Sequence, residues 1–177
     1  MKKVLAFGAS NSRTSINKTL AVYAAKLIDG VEVFVADLND YNLPLYSPDL
    51  QQEQGFPEDL ILFDTMLDSV DGIVMSMAEY NGNYTTAFKN LFDWLSRIDM
   101  KTVWKNKPIL LLGTSPGSRG AIGVLSITKE GLPFFGGRLI ADFSLPLFYQ
   151  NFQHGKIVNE EKQMELTGKL RLFKSAL

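Results

Sequence analysis

The sequence contains no cysteine and only one histidine, His154. The absence of cysteine excludes disulfides, thiol catalysis and thiolate metal sites within this chain. One histidine leaves too few ligands for a typical zinc site, and a histidine-paired nucleophile would need His154 as its base. We interpret His154 as a loop residue with no catalytic part, so side-chain catalysis of these kinds receives little support from the composition.

Strong charge and long apolar runs are missing as well. The formal net charge is −1, which gives no electrostatic case for binding nucleic acid or an anionic membrane. No apolar run is long enough to span a bilayer, and the apolar start of the chain reaches Gly8 too soon for a signal peptide. We therefore expect a cytoplasmic protein, and its 177 residues suit one domain over residues 1–177.

Short apolar runs alternate with helical patterns five times along the chain. The predicted strands cover residues 4–7, 31–35, 72–77, 109–112 and 139–143. The predicted helices cover residues 17–28, 57–69, the second half of 78–96, 122–132 and 158–175. Residues 37–56 show no clear period, so we predict a long loop there. This alternation predicts an α/β fold in which a parallel sheet carries helices on both faces.

The loop after the first strand, residues 8–17, is almost entirely small or polar and leads into a helix. It brings serine and threonine hydroxyls, asparagine amides and one guanidinium to a helix N-terminus, which favours phosphate binding. Helix capping is the alternative explanation for one or two of these residues, Ser12 or Ser15. The loop lacks the glycine spacing of a dinucleotide fingerprint and the Gly-Lys-Ser/Thr of a Walker loop.

Two further polar or glycine-rich loops, residues 78–83 and 113–121, follow the third and fourth predicted strands. The carboxyl ends of parallel strands meet at one edge of the sheet, where ligands of open α/β folds bind. We therefore expect the three loops to form a cleft. A turn with a helix N-cap is the alternative interpretation of residues 80–83.

Each of the three loops carries a motif. The first resembles G-S-x-R-x-x-S-x-N if Ala9 is admitted after the glycine, with the arginine displaced by one position to Arg13. The second resembles P-E-Y-N-G-S followed by L-K-N-x-x-D-W, with Ala78, Asn83 and Phe88 as departures. The third resembles S-P-G-x-x-G-G, with Ala121 at the last glycine. Together they are similar to the signatures of the NADPH-dependent FMN reductase family of flavodoxin-like proteins, over essentially the whole chain.

The resemblance implies a flavodoxin-like three-layer α/β/α sandwich with a five-stranded parallel sheet in the order 2-1-3-4-5. It also implies FMN as the cofactor. The phosphate of FMN would sit on the first loop, at Ser10, Ser12, Arg13, Ser15 and Asn17. The isoalloxazine ring would lie between Glu79, Tyr80, Asn81, Gly82 and Asn83 on one side and Ser115, Pro116, Gly117 and Gly120 on the other.

The function implied by the resemblance is an NAD(P)H-dependent oxidoreductase. Hydride would pass from NADPH or NADH to the flavin and on to a small acceptor such as a flavin, a quinone or an azo compound. The family has no fixed 2′-phosphate site, so the sequence does not decide between the two nicotinamides. Two alternatives stay open, a flavodoxin-type carrier of single electrons and a flavin-binding module without turnover. Carriers usually have a T-x-T-G-x-T loop and a strongly acidic surface, and this chain has neither.

Large apolar residues surround much of the helix that contains Phe88, Phe92 and Trp94. We interpret these three side chains as core or subunit-contact residues rather than as part of the site. Because they cover more of the helix than one core face needs, and because the resemblance implies dimers whose interface borders the flavin, we expect a homodimer or homotetramer.

Overall fold

The computed structural model describes all residues, 1–177. Five parallel strands form one sheet in the order β2-β1-β3-β4-β5. They are β1 (Lys2–Ala9), β2 (Val31–Ala36), β3 (Gly72–Met77), β4 (Pro108–Thr114) and β5 (Arg138–Leu145). The predicted parallel sheet and its strand order are confirmed.

Seven helices accompany the sheet: α1 (Ile16–Lys26), α2 (Pro48–Gln54), α3 (Glu58–Ser69), α4 (Thr86–Ile98), α5 (Ile122–Gly131), α6 (Phe148–Asn151) and α7 (Glu160–Ala176). Helices α1 and α7 share one apolar core with one face of the sheet, and α3, α4 and α5 share a second core with the other face. Alternate strand residues supply the two cores, so that Val4 belongs to one and Leu5 to the other. The molecule therefore has the three layers expected. None of its helices combines the length and apolarity needed to cross a membrane.

The structure corrects the prediction that residues 37–56 are an irregular loop. This segment contains a 3-10 turn, Leu38–Asp40, and helix α2. The Ser47 hydroxyl caps α2 by accepting from the Leu50 N–H at 3.1 Å, and Gly55 ends the helix at a φ of 74°. Helix α2 buries none of its residues, so no apolar period marks it in the sequence.

A second short region was also not predicted. After β5 the chain forms α6 and then a small antiparallel hairpin of β6 (Phe152–Gln153) and β7 (Lys156–Ile157). His154 lies at the turn of this hairpin with a φ of 51°, in the loop position expected for it. These elements are two to four residues long, which is too short for a periodic pattern.

Gly8 lets helix α1 lie directly on strand β1. A Cβ atom at this position would lie 2.7 Å from the Cα of Lys18 and 3.0 Å from the carbonyl carbon of Asn17. Both are backbone atoms, so no side-chain rotation could make room. The absence of a side chain at Gly8 thus sets how closely the first turns of α1 approach the end of β1.

Replacing Gly8 by alanine should lower the free energy of unfolding by about 2–3 kcal/mol, because the added methyl group must displace a helix. The matched control is Gly168→Ala on α7, where a Cβ would meet no atom within 4 Å. That substitution should raise the free energy of unfolding by about 0.5–1 kcal/mol, because alanine is the better helix former. Urea unfolding of both variants measures the two effects, and a Gly8→Ala protein as stable as the parent would contradict the close packing.

Candidate active site

A cleft of about 260 Å³ opens at the carboxyl edge of the sheet. The loops after β1, β3 and β4 line it together with α6. Eight of the predicted site residues lie in its wall, namely Ser10, Ser12, Ser15, Asn17, Glu79, Tyr80, Ser115 and Pro116. The expectation that three strand-end loops meet at one cleft is therefore confirmed.

The loop after β1 presents unpaired donors at the N-terminus of α1. The Ser15 hydroxyl caps the helix by accepting from the Lys18 N–H at 3.1 Å, as the capping alternative proposed for it. The Ser10 hydroxyl oxygen accepts from the Ser12 N–H at 3.1 Å. The backbone N–H groups of Ile16 and Asn17 donate no hydrogen bond within the chain. Two free N–H groups beside three serine hydroxyls suit an anion, because the helix dipole is positive at this end.

The side chain of Asn17 is engaged by the sheet. Its Oδ1 accepts from the Ser76 hydroxyl at 2.7 Å and from the Thr114 N–H at 3.0 Å, and its Nδ2 donates to the Thr114 carbonyl at 3.1 Å. Asn17 is only 3% exposed. Its amide therefore links α1 to the ends of β3 and β4, and only its backbone N–H is left for a ligand.

Glu79 connects the loops after β3 and β4. Its Oε2 accepts from the Val124 N–H at 2.8 Å, in the first turn of α5. Helix α5 has no cap of its own, because its N-cap residue is Ala121, which holds a left-handed conformation with a φ of 63°. The Glu79 carboxylate supplies the missing cap and interacts favourably with the helix dipole. A Cβ at Gly123 would lie 2.8 Å from Glu79 Oε2, so the glycine leaves the space that the Glu79 carboxylate occupies.

Residues 80–83 form a tight turn at the rim of the cleft. The Tyr80 N–H donates to the Asn83 carbonyl at 3.0 Å, and the Asn83 N–H donates to the Tyr80 carbonyl at 3.1 Å. Asn81 and Gly82 between them have φ values of 54° and 78°. The turn interpretation is thus correct for the backbone, but the N-cap of α4 is Thr85, outside residues 80–83. The three residues after Tyr80 lie outside the cleft wall. Tyr80 itself is 52% exposed and lines the cleft.

The loop after β4 is held open by the segment that follows β5. The Gly117 carbonyl accepts from the Leu147 N–H at 2.9 Å, and the Ser115 carbonyl accepts from the Phe148 N–H at 3.1 Å. Gly120 has a φ of 57°, and a Cβ there would lie 3.0 Å from the Pro146 nitrogen. Gly117 and Gly120 do not line the cleft, but the backbone N–H groups of residues 117–120 donate no hydrogen bond within the chain.

Tyr149 is a cleft residue that the sequence prediction missed. It lies on α6, is 65% exposed and lines the cleft. Its neighbour Phe148 is buried, and the two ring centroids are 5.5 Å apart. A signal was present in the sequence, because an aromatic pair follows the fifth predicted strand just as the polar loops follow the first, third and fourth.

Arg13 lies outside the cleft. Its side chain lines a neighbouring groove along α1 together with Lys18 and Lys26. In the family motif the arginine stands one position earlier, and a shift by one residue in a tight turn directs the side chain elsewhere. The contact between Arg13 and a phosphate stays a prediction.

The family model described as NADPH-dependent FMN reductase matches residues 2–150 of the chain. A quinone reductase from Escherichia coli (strain K12) is 30% identical over 142 residues, which cover 75% of this chain and 72% of that protein. A 2-hydroxy-1,4-benzoquinone reductase from Burkholderia sp is 36% identical over 119 residues, which cover 67% of this chain and 63% of that protein.

Among solved structures, the chain is similar to FerB, a flavoenzyme NAD(P)H:(acceptor) oxidoreductase from Paracoccus denitrificans. The TM-score is 0.79 at 27% identity, and the match covers 99% of this chain and 97% of FerB. An NADH:FMN oxidoreductase in its apo form shares the fold with a TM-score of 0.71 at 17% identity, over 100% of this chain and 90% of that chain.

Asn17→Ala should lower the free energy of unfolding by about 3 kcal/mol or more. The substitution removes the side-chain partner of three buried groups, the Ser76 hydroxyl and the Thr114 N–H and carbonyl. The control is Asn11→Ala in the same loop, since Asn11 is exposed and should change stability by less than about 0.5 kcal/mol. Thermal and urea unfolding of both variants check this. Equal effects of the two substitutions would remove the structural role assigned to the Asn17 amide.

Proposed function

Because the chain belongs to the NADPH-dependent FMN reductase family, we propose that its cleft binds FMN and receives both the nicotinamide and the electron acceptor. The protein is an NAD(P)H-dependent flavoprotein oxidoreductase. The observation that supports this use of the cleft is the pair of unpaired backbone N–H groups of Ile16 and Asn17, which stand in the cleft wall beside three serine hydroxyls. No cysteine is present, so no thiol of this chain can carry the electrons, and the redox chemistry requires a cofactor.

The phosphate of FMN fits the loop after β1. We assign it to the hydroxyls of Ser10, Ser12 and Ser15 and to the free N–H groups of Ile16 and Asn17. Ser10 and Ser15 each use their oxygen to accept one backbone bond, which leaves the hydroxyl hydrogen of each available to a phosphate oxygen. The dipole of α1 adds to the attraction.

We propose that the ring of FMN lies at the rim of the cleft, between the Tyr80–Asn83 turn and the loop of residues 115–120. The free N–H groups of residues 117–120 would donate to the polar edge of the ring and favour negative charge there. Tyr80 and Tyr149, both exposed in the cleft wall, offer aromatic faces beside it. Glu79 positions these two loops relative to each other through its bond to the Val124 N–H.

Bound FMN would supply the two-electron chemistry between a reduced nicotinamide and an acceptor. The chain itself binds the two substrates in turn in one cleft, orients them against the ring and provides fixed donors. No side chain is required as an acid or a base. The acceptor class that we propose is a small quinone, flavin or azo compound. This accords with relatives named as quinone reductase, NADH-dependent flavin reductase subunit and NADPH azoreductase.

The test is to purify the protein, record its flavin spectrum, and measure oxidation of NADPH and NADH with FMN, a benzoquinone and an azo dye as acceptors. We expect one FMN per chain and parallel lines in double-reciprocal plots, as a ping-pong order requires. Colourless protein that does not quench the fluorescence of added FMN would refute the proposal. Stable uptake of single electrons without oxidation of NAD(P)H would indicate an electron carrier instead.

Ser12→Asp should weaken FMN binding by at least about 100-fold, because it places a carboxylate against the phosphate. Riboflavin lacks the phosphate, so its affinity should change little. The control is Ser126→Asp, which adds the same charge at an exposed position of α5 and should leave both affinities nearly unchanged. Titration calorimetry of the parent, Ser12→Asp and Ser126→Asp proteins measures these affinities. Equal FMN affinities of Ser12→Asp and the parent would contradict a phosphate site at this loop.

For the assembly we propose a homodimer, or a homotetramer built from two dimers. The apolar residues of α4 do not support it, because Phe88 and Trp94 are buried within the chain and Phe92 packs on Trp104 with ring centroids 5.9 Å apart. Trp94 also donates from Nε1 to the Pro44 carbonyl at 2.8 Å. A core position is confirmed for Phe88 and Trp94, whereas Phe92 is half-buried. The support comes instead from the family resemblance and from exposed apolar side chains, Tyr80 and Tyr149 in the cleft wall and Ile122 at the start of α5.

Light scattering of the FMN-loaded protein at micromolar concentration should give a mass of twice the 19.8 kDa of one chain, or four times that mass. Apolar patches beside a site often mark such contacts. The same measurement on Ile122→Glu should shift the mass toward one chain. A single-chain mass for the parent protein would exclude the assembly.

A further inference from the structure

A groove of about 500 Å³ runs along helix α1 beside the cleft. Three cationic residues line it, Arg13, Lys18 and Lys26, and no carboxylate does. The chain as a whole has a net charge of −1, so this concentration of positive charge is local. Apart from Ser15, which the groove shares with the cleft, the function proposed above uses no residue of the groove.

Two of the three cations are uncompensated. Lys18 donates to the Asp37 carboxylate at 2.5 Å. Burial raises the pKa of Asp37, but hydrogen bonds from Lys18 and Asn39 lower it more, so its pKa lies below the ordinary value and the carboxylate is charged at neutral pH. Arg13 and Lys26 take part in no ion pair, and both are exposed. An anion in the groove would therefore meet two cations that have no competing partner.

The rest of the groove wall is aromatic and aliphatic. Tyr23 and Phe152 meet edge to face with ring centroids 5.2 Å apart, and the Tyr23 hydroxyl donates to Gln163 Oε1 at 2.7 Å. Leu27 extends this wall toward the end of α1. Ring faces bind flat bases, and guanidinium and ammonium groups bind phosphate. The combination suits a nucleotide that carries a phosphate monoester.

Ser15 lines both the groove and the cleft, so a ligand that extends past the first turn of α1 would reach both. We propose that the groove binds the adenosine 2′-phosphate end of NADPH. This inference rests on the proposed function, because it assumes that the nicotinamide of the same molecule enters the cleft. The 2′-phosphate is the group that NADH lacks, so Arg13 and Lys26 would set the preference for NADPH.

The binding test uses titration calorimetry with 2′,5′-ADP and 5′-AMP, and it requires no turnover. The parent protein should bind 2′,5′-ADP at least about 10-fold more tightly than AMP. Lys26→Gln should weaken 2′,5′-ADP binding by about 10-fold, and Lys26→Glu should weaken it further. The matched control is Lys101→Glu, an exposed lysine outside the groove, which makes the same change in net charge and should leave the affinity unchanged.

The kinetic test compares the two nicotinamides with the FMN-loaded enzyme. Lys26→Glu should raise KM for NADPH by about 10-fold and leave KM for NADH, kcat and the affinity for FMN unchanged. An equal rise in KM for NADPH and NADH, or equal binding of 2′,5′-ADP by Lys26→Glu and Lys101→Glu, would overturn the inference. So would a loss of FMN affinity in Lys26→Glu, because the groove would then serve the flavin phosphate. A protein that oxidises neither nicotinamide would instead refute the proposed function.

Discussion

The buried amide of Asn17 is the interaction on which the cleft depends. The Asn17 side chain, in the first turn of α1, accepts from the Ser76 hydroxyl of β3. It also accepts from the Thr114 N–H of β4 and donates to the Thr114 carbonyl. The Thr114 hydroxyl continues the connection by donating to the Leu145 carbonyl at 2.6 Å. Strand ends of a parallel sheet carry polar groups that need partners. Because Asn17 satisfies them from a helix, the N-terminus of α1 is fixed above the sheet edge with two of its own N–H groups free.

Polar side chains also position the backbone in the other two loops of the cleft. Polar side chains that look like ligands in the sequence are largely used to position backbone. Glu79 caps α5, Ser15 caps α1, and the Ser115 hydroxyl donates to the Gly117 carbonyl at 3.1 Å. What the cleft wall then offers a ligand is the free N–H groups of Ile16 and Asn17, the serine hydroxyls and two tyrosines. These N–H and serine hydroxyl donors do not change protonation near neutral pH, which suits a site whose redox chemistry comes from a bound cofactor.

These roles explain what the sequence could and could not predict. Strands such as β3 and β4 are fully buried apolar runs, so the sheet followed from their spacing. Helix α2, which buries nothing, carried no such signal. Composition located three loops at one edge, but it could not tell that the amide of Asn17 belongs to the sheet, that the Arg13 side chain lies beyond the cleft, or that Tyr149 arrives from a fourth strand end. The positions of Asn17 and Tyr149 depend on hydrogen bonds between residues 30 to 97 positions apart in the chain.

Ala121 has a consequence for how the ring loop meets its ligand. The family motif has glycine here, and the alanine holds a left-handed φ of 63° with its side chain buried. A left-handed alanine costs about 1 kcal/mol relative to glycine, yet its methyl group leaves residue 121 fewer backbone conformations than glycine would have. Less backbone entropy remains to be lost when a flavin is bound. Part of the free-energy cost of ordering the Ala121 backbone is therefore met when the protein folds and not when the flavin binds.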